Sequence, residues 1–242
     1  MAQVRAEMTM LFTNGETVFL TLGIPVAFLW FFSAVHVLPT GTTKPVDFLV
    51  PGVLALAVLS TAMTALGIGT GFERGYGVLK RLGATPLGRP RLLGAKIISI
   101  IAVELIQAGV LVAAGYALGW DPGGAGGSGA LVGSAVGAMV LGTVAFGGVG
   151  LLLAGTLAPL VNLAVVNALF VILLLLGGML IPLGKLPTGL ADLAKVLPAA
   201  ALADALHTSL GRGAAIGVHD WIVLAVWAVA APAMAGATFR WE

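Results

Sequence analysis

Six long apolar segments, separated by short polar ones, account for most of the chain. A helix needs about 20 mainly apolar residues to cross about 30 Å of hydrocarbon, and each segment has about that length. Lipid offers no partner to backbone N–H and C=O groups, so a spanning segment is a helix or a barrel strand, and the alternation typical of barrel strands is missing. The pattern therefore predicts an all-α membrane protein with six transmembrane helices, at residues 18–38, 48–72, 97–118, 130–157, 160–181 and 221–239.

Two of the segments outside these spans have amphipathic patterns. In residues 1–17, apolar residues recur at helical spacing opposite Arg5 and Glu7, which predicts an amphipathic helix at the membrane interface. A frayed tail is the alternative. In residues 182–220, a helical apolar pattern around Pro198 predicts one or two short helices that lie on the outer face or dip into it. An amphipathic lid over the helix bundle is the alternative there.

The sequence predicts a single transmembrane domain over residues 1–242, because six spans leave no room for a separate soluble domain of ordinary size. The charged segment between spans 2 and 3 contains Pro86 and Pro90, which stop helices at defined points. In chain order, the parts are the interfacial helix (1–17), spans 1 and 2 (18–72), the charged loop (73–96), spans 3 to 5 (97–181), the outer short helices (182–220) and span 6 (221–239).

Composition and charge support a membrane location and set an orientation. The chain is 59% hydrophobic and 9% charged, whereas a soluble domain has about 25% charged residues. It has no Cys, which excludes disulfides and Cys-based metal sites. Six of the 12 Lys and Arg residues lie in residues 73–96. Because cytoplasmic loops are rich in Lys and Arg, we predict that this loop and both termini are cytoplasmic, in the inner or plasma membrane. The clustering of cations at span ends also argues against nucleic-acid binding.

The charged loop combines an apolar face with basic side chains. Val78, Leu79 and Leu82 are predicted to form one apolar face of a short helix, with Lys80 and Arg81 pointing elsewhere. Such an element could dock a cytoplasmic partner protein. It could equally anchor to anionic headgroups, since each basic residue near such a surface gains about 1 kcal/mol.

No motif for ATP binding or catalysis is present. A phosphate-binding loop needs the pattern G-x-x-x-x-G-K-[ST], and the nearest approach, at Gly184, Lys185 and Leu186, lacks the Ser or Thr. We therefore predict that the chain is not an enzyme and binds no cofactor. His36, His207 and His219 are scattered over predicted outer ends of segments, where we favour interfacial side chains over a metal site.

Polar residues inside the predicted spans are candidates for a substrate path or for hydrogen bonds between helices. Glu104 lies roughly 10 Å into span 3, with Gln107 on the same helical face. A charge at that depth is costly without a partner or a water-filled cavity. Asn162 and Asn167 lie early in span 5. For Glu104 we favour a structural role over substrate contact, either a hydrogen bond between spans or a position still near the cytoplasmic water. For both Asn residues we favour the interhelical hydrogen bond.

Aromatic and small residues provide two further patterns. Phe28, Phe31 and Phe32, together with Trp30, could form an aromatic wall for an apolar substrate, or could face lipid or pack between spans. G-x-x-x-G spacings allow close approach of helix backbones and occur at Gly67 with Gly71 and at Gly133 with Gly137.

Two regions of the sequence together resemble a known family. The run E-R-G-x-x-x-L-x-x-L-x-A-T-P-L at residues 73–87, followed by a basic stretch and an apolar span, resembles the membrane subunits of ABC-2 type exporters. The second half agrees: a span ends in Gly177, Gly178 and Pro182, and Leu-Pro pairs and an Asp-Ala-Leu at residues 204–206 follow. The chain departs from the family pattern at His207, where the family often has Arg, and at residues 77–79, where the family often has a Thr–Leu-type pair.

The resemblance implies a transport subunit rather than an enzyme. Such a subunit pairs with a second permease subunit, identical or similar, and with separate ATP-binding subunits that hold the ATP and Mg²⁺. It moves a hydrophobic or amphipathic substrate outward, such as a drug, an antibiotic or a lipid-linked molecule. Spans 1, 2 and 5 line the path, and residues 1–17 form the connecting helix. The residues that couple to the ATPase would be Glu73, Arg74, Gly77, Val78, Leu79, Lys80, Arg81 and Leu82, in a coupling helix between spans 2 and 3.

The substrate path is predicted to include Phe28, Phe31, Phe32, Glu104, Asn162 and Asn167. The alternative function is an ion-coupled secondary transporter or channel that acts without an ATPase. That class shows broken helices at matching positions of two repeats and ionisable residues near the midplane. Spans 1–3 and 4–6 show no convincing repeat, and Glu104 is the one midplane candidate.

Overall fold

The structure is a computed structural model that describes residues 22–35, 44–83, 89–123 and 131–239. Within these residues every regular element is helical. We number the helices α1 (Ile24–Val35), α2 (Pro45–Gly75), α3 (Val78–Gly83), α4 (Arg89–Ala117), α5 (Val132–Thr156), α6 (Pro159–Leu176), α7 (Thr188–Lys195), α8 (Pro198–Leu206) and α9 (Val218–Thr238). The predicted interfacial helix at residues 1–17 lies outside the described residues.

Five helices are long and apolar enough to cross a membrane, namely α2, α4, α5, α6 and α9. The prediction of an all-α membrane protein is therefore confirmed. The first predicted span, residues 18–38, is described over residues 22–35 and contains α1, an apolar helix of 12 residues. The count of six spans and the division into parts of a single domain stay predictions.

The ends of the spanning helices differ from the sequence prediction most clearly in α6. The apolar run continues to Ile181, but the helix ends at Leu176. Gly178 then adopts a φ of +68°, a left-handed conformation that favours glycine. At its other end α6 begins at Pro159, where proline's fixed φ and missing N–H suit the first turn. A tight turn therefore joins the end of α5 at Thr156 to the start of α6 at Pro159.

Contacts between helix ends show that the spanning helices alternate in direction. At one end, α2 and α5 end while α4 and α6 begin, and Gly75 faces Pro159 there. We call this the Lys96 end. At the other end, α2 and α5 begin beside the turn that follows α8, where the Leu131 N–H donates to the Ser209 carbonyl. We call this the His207 end. Each end carries a group of polar side chains.

Glycines of α5 allow its close packing against α9. A Cβ on Gly148 would lie 2.5 Å from the Pro232 nitrogen, and one on Gly155 would lie 2.5 Å from the Phe239 ring. Neither position leaves room for a side chain. Because lipid tails are as apolar as Leu, helices in membranes associate through such close backbone contacts.

The two G-x-x-x-G spacings have different surroundings. A Cβ on Gly67 would lie 3.0 Å from the Gly150 Cα, and one on Gly71 would collide with the Asn162 amide. Gly67 and Gly71 are thus both contact positions between helices. Gly133 faces open space, so the second spacing does not form a continuous contact surface.

The segment predicted to contain one or two short helices contains the two α-helices α7 and α8. A 3₁₀ turn, Leu183–Lys185, precedes them and a π-helical turn, His207–Gly211, follows them. In α8 every residue except Asp204 is buried, and Leu202 packs against Gly142 of α5. This helix therefore dips into the bundle. In α7, Leu190 and Leu193 are exposed, so this helix lies at the surface.

Candidate functional site

An ion pair joins the end of α2 to the beginning of α4. The Lys96 Nζ lies 2.8 Å from Glu73 Oε2 and donates a hydrogen bond of 3.1 Å to Oε1. The Lys96 side chain is 2% exposed and that of Glu73 34% exposed. Since losing one partner of a buried pair leaves a desolvated charge, this contact ties the two helices together.

A second polar contact ties the same end of α2 to α5. Arg74 Nη2 donates to the Leu157 carbonyl at 2.5 Å. Leu157 follows the last residue of α5, where carbonyl groups have no partner within the helix and the helix dipole attracts cations. The last turn of α2 is therefore fixed to both α4 and α5.

The short helix α3 follows α2 after a tight turn. Gly77 has a φ of +73°, which favours glycine, and its carbonyl accepts from the Arg81 N–H. Leu79 is fully buried, whereas Val78 is 42% exposed. Successive residues of a helix point about 100° apart, so the two side chains leave in different directions.

This arrangement corrects the predicted apolar face of α3. Val78 and Leu79 do not share a face, because Leu79 joins the core and anchors the helix. The Leu82 side chain lies outside the described part of the chain. The side chains that α3 and its preceding turn expose are Tyr76, Val78, Lys80 and Arg81, which we call the α3 surface.

A buried polar cluster links α2, α4 and α5 within the bundle. The Thr61 hydroxyl donates to Gln107 Oε1 at 3.3 Å, and the Thr143 hydroxyl is hydrogen-bonded to the Glu104 carboxyl. All four side chains are at most 5% exposed. Thr61 lies in a π-helical stretch of α2, Leu59–Ala65, a local geometry that is frequent at functional sites.

The cluster places Glu104 and Gln107 on the inward face of α4, as their spacing predicted. Each contacts a helix other than its own, and for Glu104 this contact corresponds to the interhelical alternative raised from the sequence. Neither of the partners, Thr61 and Thr143, was predicted from the sequence. Their one signal was a hydroxyl within an apolar run, which many membrane helices contain. The cavity beside Glu104 is about 10 Å³, room for about one water molecule.

The two predicted Asn candidates have different surroundings. Asn162 is fully buried, and its Nδ2 donates to the Gly67 carbonyl of α2 at 2.9 Å. Asn167 is exposed, and its Nδ2 donates to the Leu163 carbonyl of its own helix at 2.8 Å. Only Asn162 therefore makes the predicted bond between helices.

The predicted aromatic wall in α1 is divided between two faces. Phe28 and Phe32 are partly buried against the core, with ring centroids 4.3 Å apart. Phe31 is 49% exposed and Trp30 is 61% exposed. The side chains that face outward in this chain can contact lipid or another subunit, whereas Phe28 and Phe32 pack between helices.

His207 lies in the core, at the His207 end. The sequence had indicated an interfacial position instead. Its ring stacks on Phe48 with centroids 4.3 Å apart. Nδ1 lies 2.7 Å from the Ala203 carbonyl oxygen, and Nε2 lies 3.0 Å from that of Phe48. A carbonyl only accepts, so a neutral ring donates one of these two bonds. Burial lowers the pKa of His207, although both carbonyls and nearby Asp204 raise it.

The other His residues are separate from this one. His219 is exposed, with Nε2 3.1 Å from the Lys195 carbonyl. His36 lies outside the described residues. In the described ranges no three His, Asp or Glu side chains gather as a metal site would require.

A cavity of about 310 Å³ opens beside His207. It lies between the first turn of α2, the turn that follows α6, and the end of α8. Its lining includes Asp47, Phe48, Leu183, Asp204, His207 and Arg212. Of these residues, Asp204 and His207 were singled out from the sequence, whereas Asp47, Phe48 and Leu183 lie far from them in the chain.

A helical membrane bundle is compatible with several classes of transport protein, and comparison with protein families decides between them. The family model described as ABC-2 type transporter matches residues 3–210. The chain belongs to the ABC-2 type transporter family. The resemblance inferred from the sequence motifs is thereby confirmed. A comparison with curated proteins found no match.

Membership of the ABC-2 family assigns the chain a general activity. It is a multi-pass transport membrane domain, the permease part of an ABC transporter, and is not itself catalytic. Such a permease associates with an ATP-binding subunit. The match covers the described helices α1 to α8, and α9 follows it.

Proposed function

We propose that this ABC-2 permease is the membrane subunit of an ATP-driven exporter and that its ATP-binding partner docks on the α3 surface. The observation that carries the proposal is the attachment of α3 to the rest of the bundle. Leu79 is buried in the core, Glu73 pairs with Lys96, and Arg74 bonds to the Leu157 carbonyl. A force on α3 therefore reaches α2, α4 and α5 together.

The exposed side chains suit a protein partner. Tyr76 is 76% exposed and Val78 is 42% exposed, beside the exposed Lys80 and Arg81. Aromatic and Arg side chains are enriched at protein interfaces. A tyrosine and two cations would fit a groove with an apolar floor and an acidic rim. ATP and Mg²⁺ would bind in the partner, and closure of the ATP-binding subunits would move α3.

The proposed function also includes an orientation in the membrane, a second permease subunit and a class of substrate. The Lys96 end would be cytoplasmic with both termini, because the basic loop lies there. A second permease subunit, identical or similar, would pair with this one. Together they would move a hydrophobic or amphipathic drug, antibiotic or lipid-linked molecule outward. The predicted path residues would change their contacts during the cycle, with Glu104, Asn162 and Phe28 linking the helices that move.

Co-purification tests the docking surface. The chain is expressed with the ATP-binding subunit encoded beside its gene, solubilised in mild detergent, and assayed for complex formation and ATPase rate. We expect Lys80→Glu combined with Arg81→Glu to abolish the complex while the chain stays folded. Lys185→Glu, a charge reversal at the exposed turn before α7, is the matched control and should leave the complex intact.

Two results would contradict the proposal. One is a complex that forms equally well with the double reversal. The other is a purified chain that moves solute along an ion gradient with no ATP-binding subunit present, which would establish the secondary transporter instead.

A further inference from the structure

The cavity at the His207 end has no part in the coupling described above. At about 310 Å³ it reaches the lower range of small-molecule sites, about 300–1,000 Å³. Three separate segments form it, so its shape depends on how firmly these segments are held together.

Its walls are fixed by close backbone packing. Met179, in the turn after α6, is fully buried, and a Cβ on Gly52 of α2 would collide with the Met179 carbonyl. Gly178 combines its positive φ with a position where a Cβ would lie 2.9 Å from Leu183 Cγ. The turn is therefore held against α2, and the cavity is preformed.

Much of the lining is apolar. Phe48, Pro182, Leu183 and Ala203 contribute to it, and the Phe48 ring is held in place by stacking on His207. A ligand that fills the cavity must therefore present an apolar body of modest size.

Among the charged side chains that line the cavity, the carboxylates outnumber the cations by one. Arg212 Nη2 lies 3.4 Å from Asp204 Oδ1, so these two charges offset each other. Burial lowers the pKa of His207, which favours the neutral ring. The carboxylate of Asp47 remains; it is half-buried, and its Oδ1 accepts from the Asp121 N–H at 3.3 Å. A partly desolvated carboxylate attracts a cation more strongly than one in bulk water.

We propose that this cavity binds an amphipathic organic cation, such as a protonated amine, with Asp47 as its counter-ion and Phe48 and Leu183 as its apolar wall. The inference rests on the proposed function, in which the cation is a transported substrate near the outer end of its path. The headgroup of phosphatidylethanolamine offers the same ammonium chemistry and is the second source of such a ligand.

Binding of a cationic dye to the purified full chain tests this site. Rhodamine 6G serves as the cationic probe and fluorescein as an anionic one, each followed by fluorescence polarisation in detergent. We expect rhodamine 6G to bind and Asp47→Asn to weaken it about tenfold or more, the loss of one charged contact. Asp47→Glu keeps the charge and should retain binding. Asp192→Asn, at an exposed carboxylate of α7 outside the cavity, is the matched control.

Nanodiscs with and without phosphatidylethanolamine distinguish the two sources. If the lipid lowers the apparent affinity for rhodamine 6G in the unaltered chain but not in Asp47→Asn, the headgroup occupies the site. If it has no effect, the site serves a soluble amphipathic cation. Both results support a site for an organic cation.

The proposal is overturned if Asp47→Asn, folded by its thermal unfolding curve, binds rhodamine 6G as the unaltered chain does. Equal binding of fluorescein and rhodamine 6G would also overturn it. The assay uses the permease without its partner, so a failure of ATPase docking leaves this test intact. Conversely, a negative result here does not affect docking on the α3 surface.

Discussion

Lys96, buried near the start of α4, pairs with Glu73 at the end of α2, with 2.8 Å between Nζ and Oε2. The pair is asymmetric, because the lysine side chain is 2% exposed and the glutamate side chain 34% exposed. This difference has a measurable consequence, since removing either partner leaves the other in a different environment.

We expect Glu73→Gln to destabilise the chain more than Lys96→Met. The first change leaves an ammonium in the core without its carboxylate, while the second leaves a carboxylate that water can reach. Breaking a fully buried pair costs about 3–5 kcal/mol, and partial exposure of Glu73 reduces this to about 2–3 kcal/mol for Glu73→Gln. Thermal unfolding in detergent measures the order. Two outcomes would show that the pair does not tie α2 to α4. One is that Lys96→Met is the more damaging change. The other is that the double variant, Glu73→Gln with Lys96→Met, is no more stable than Glu73→Gln alone.

Adjacent residues of α3 should respond oppositely to the same substitution. Leu79→Asp places a charge in the core and should cost about 3–5 kcal/mol, so the chain unfolds or fails to accumulate. Val78→Asp places the charge on the exposed α3 surface and should leave the unfolding temperature within about 1 °C. In the co-purification assay, Val78→Asp should instead weaken the complex with the ATP-binding subunit. Similar stability of the two variants would show that Leu79 does not anchor α3.

The two Asn residues of α6 provide a matched pair. Asn162→Ala removes the hydrogen bond to the Gly67 carbonyl and leaves a small gap, at a cost of about 1–2 kcal/mol. Asn167→Ala removes only a bond within one helix at an exposed position and should be near neutral. Denaturation in mixed micelles compares the two. Equal effects would argue against close contact between α2 and α6.

We expect the chain to become less stable in acid, because His207 must take up a proton in a buried position. Burial is the main cause of its lowered pKa, so between that lowered value and about 6.5 the unfolded chain binds more protons than the folded one. The contribution of His207 to the free energy of unfolding is therefore fully present above about pH 6.5. It decreases as the pH falls toward the pKa of His207 in the folded chain. Thermal unfolding between about pH 5 and about pH 8 should show this dependence, and His207→Gln should flatten it. His219→Gln, at an exposed position, is the control; a slope unchanged by His207→Gln would assign the effect to other groups.

Properties that are contained in one short segment of the chain could be predicted from the sequence. Lengths of apolar runs predicted helices that span the membrane, because the number of residues needed to cross hydrocarbon does not depend on neighbours. The run at residues 73–87 indicated the family for a similar reason: its chemistry is contained in one short segment. The same runs misplaced the end of α6, because Gly177 and Gly178 are as compatible with an apolar run as with the turn they form.

Contacts between helices were beyond what the patterns could decide. Asn162 and Asn167 are the same residue type in one helix, yet only Asn162 faces α2. The position of Glu104 in an apolar run indicated a buried polar group. Its partner Thr143 could not be predicted, because this contact depends on how α5 is rotated about its own axis.

The sequence by itself determined an all-helical membrane protein, a basic loop, the lack of a phosphate-binding motif and the ABC-2 resemblance, since each depends on composition or on residues adjacent in the chain. Only the tertiary structure decided that Leu79 is an anchor, that Lys96 pairs with Glu73 and that Asp47 and His207 line one cavity. Asp47 and His207 are 160 residues apart in number, and they meet because α8 returns into the bundle beside the first turn of α2. Such a meeting depends on which faces of the helices pack together, and no single helix's periodicity contains that information.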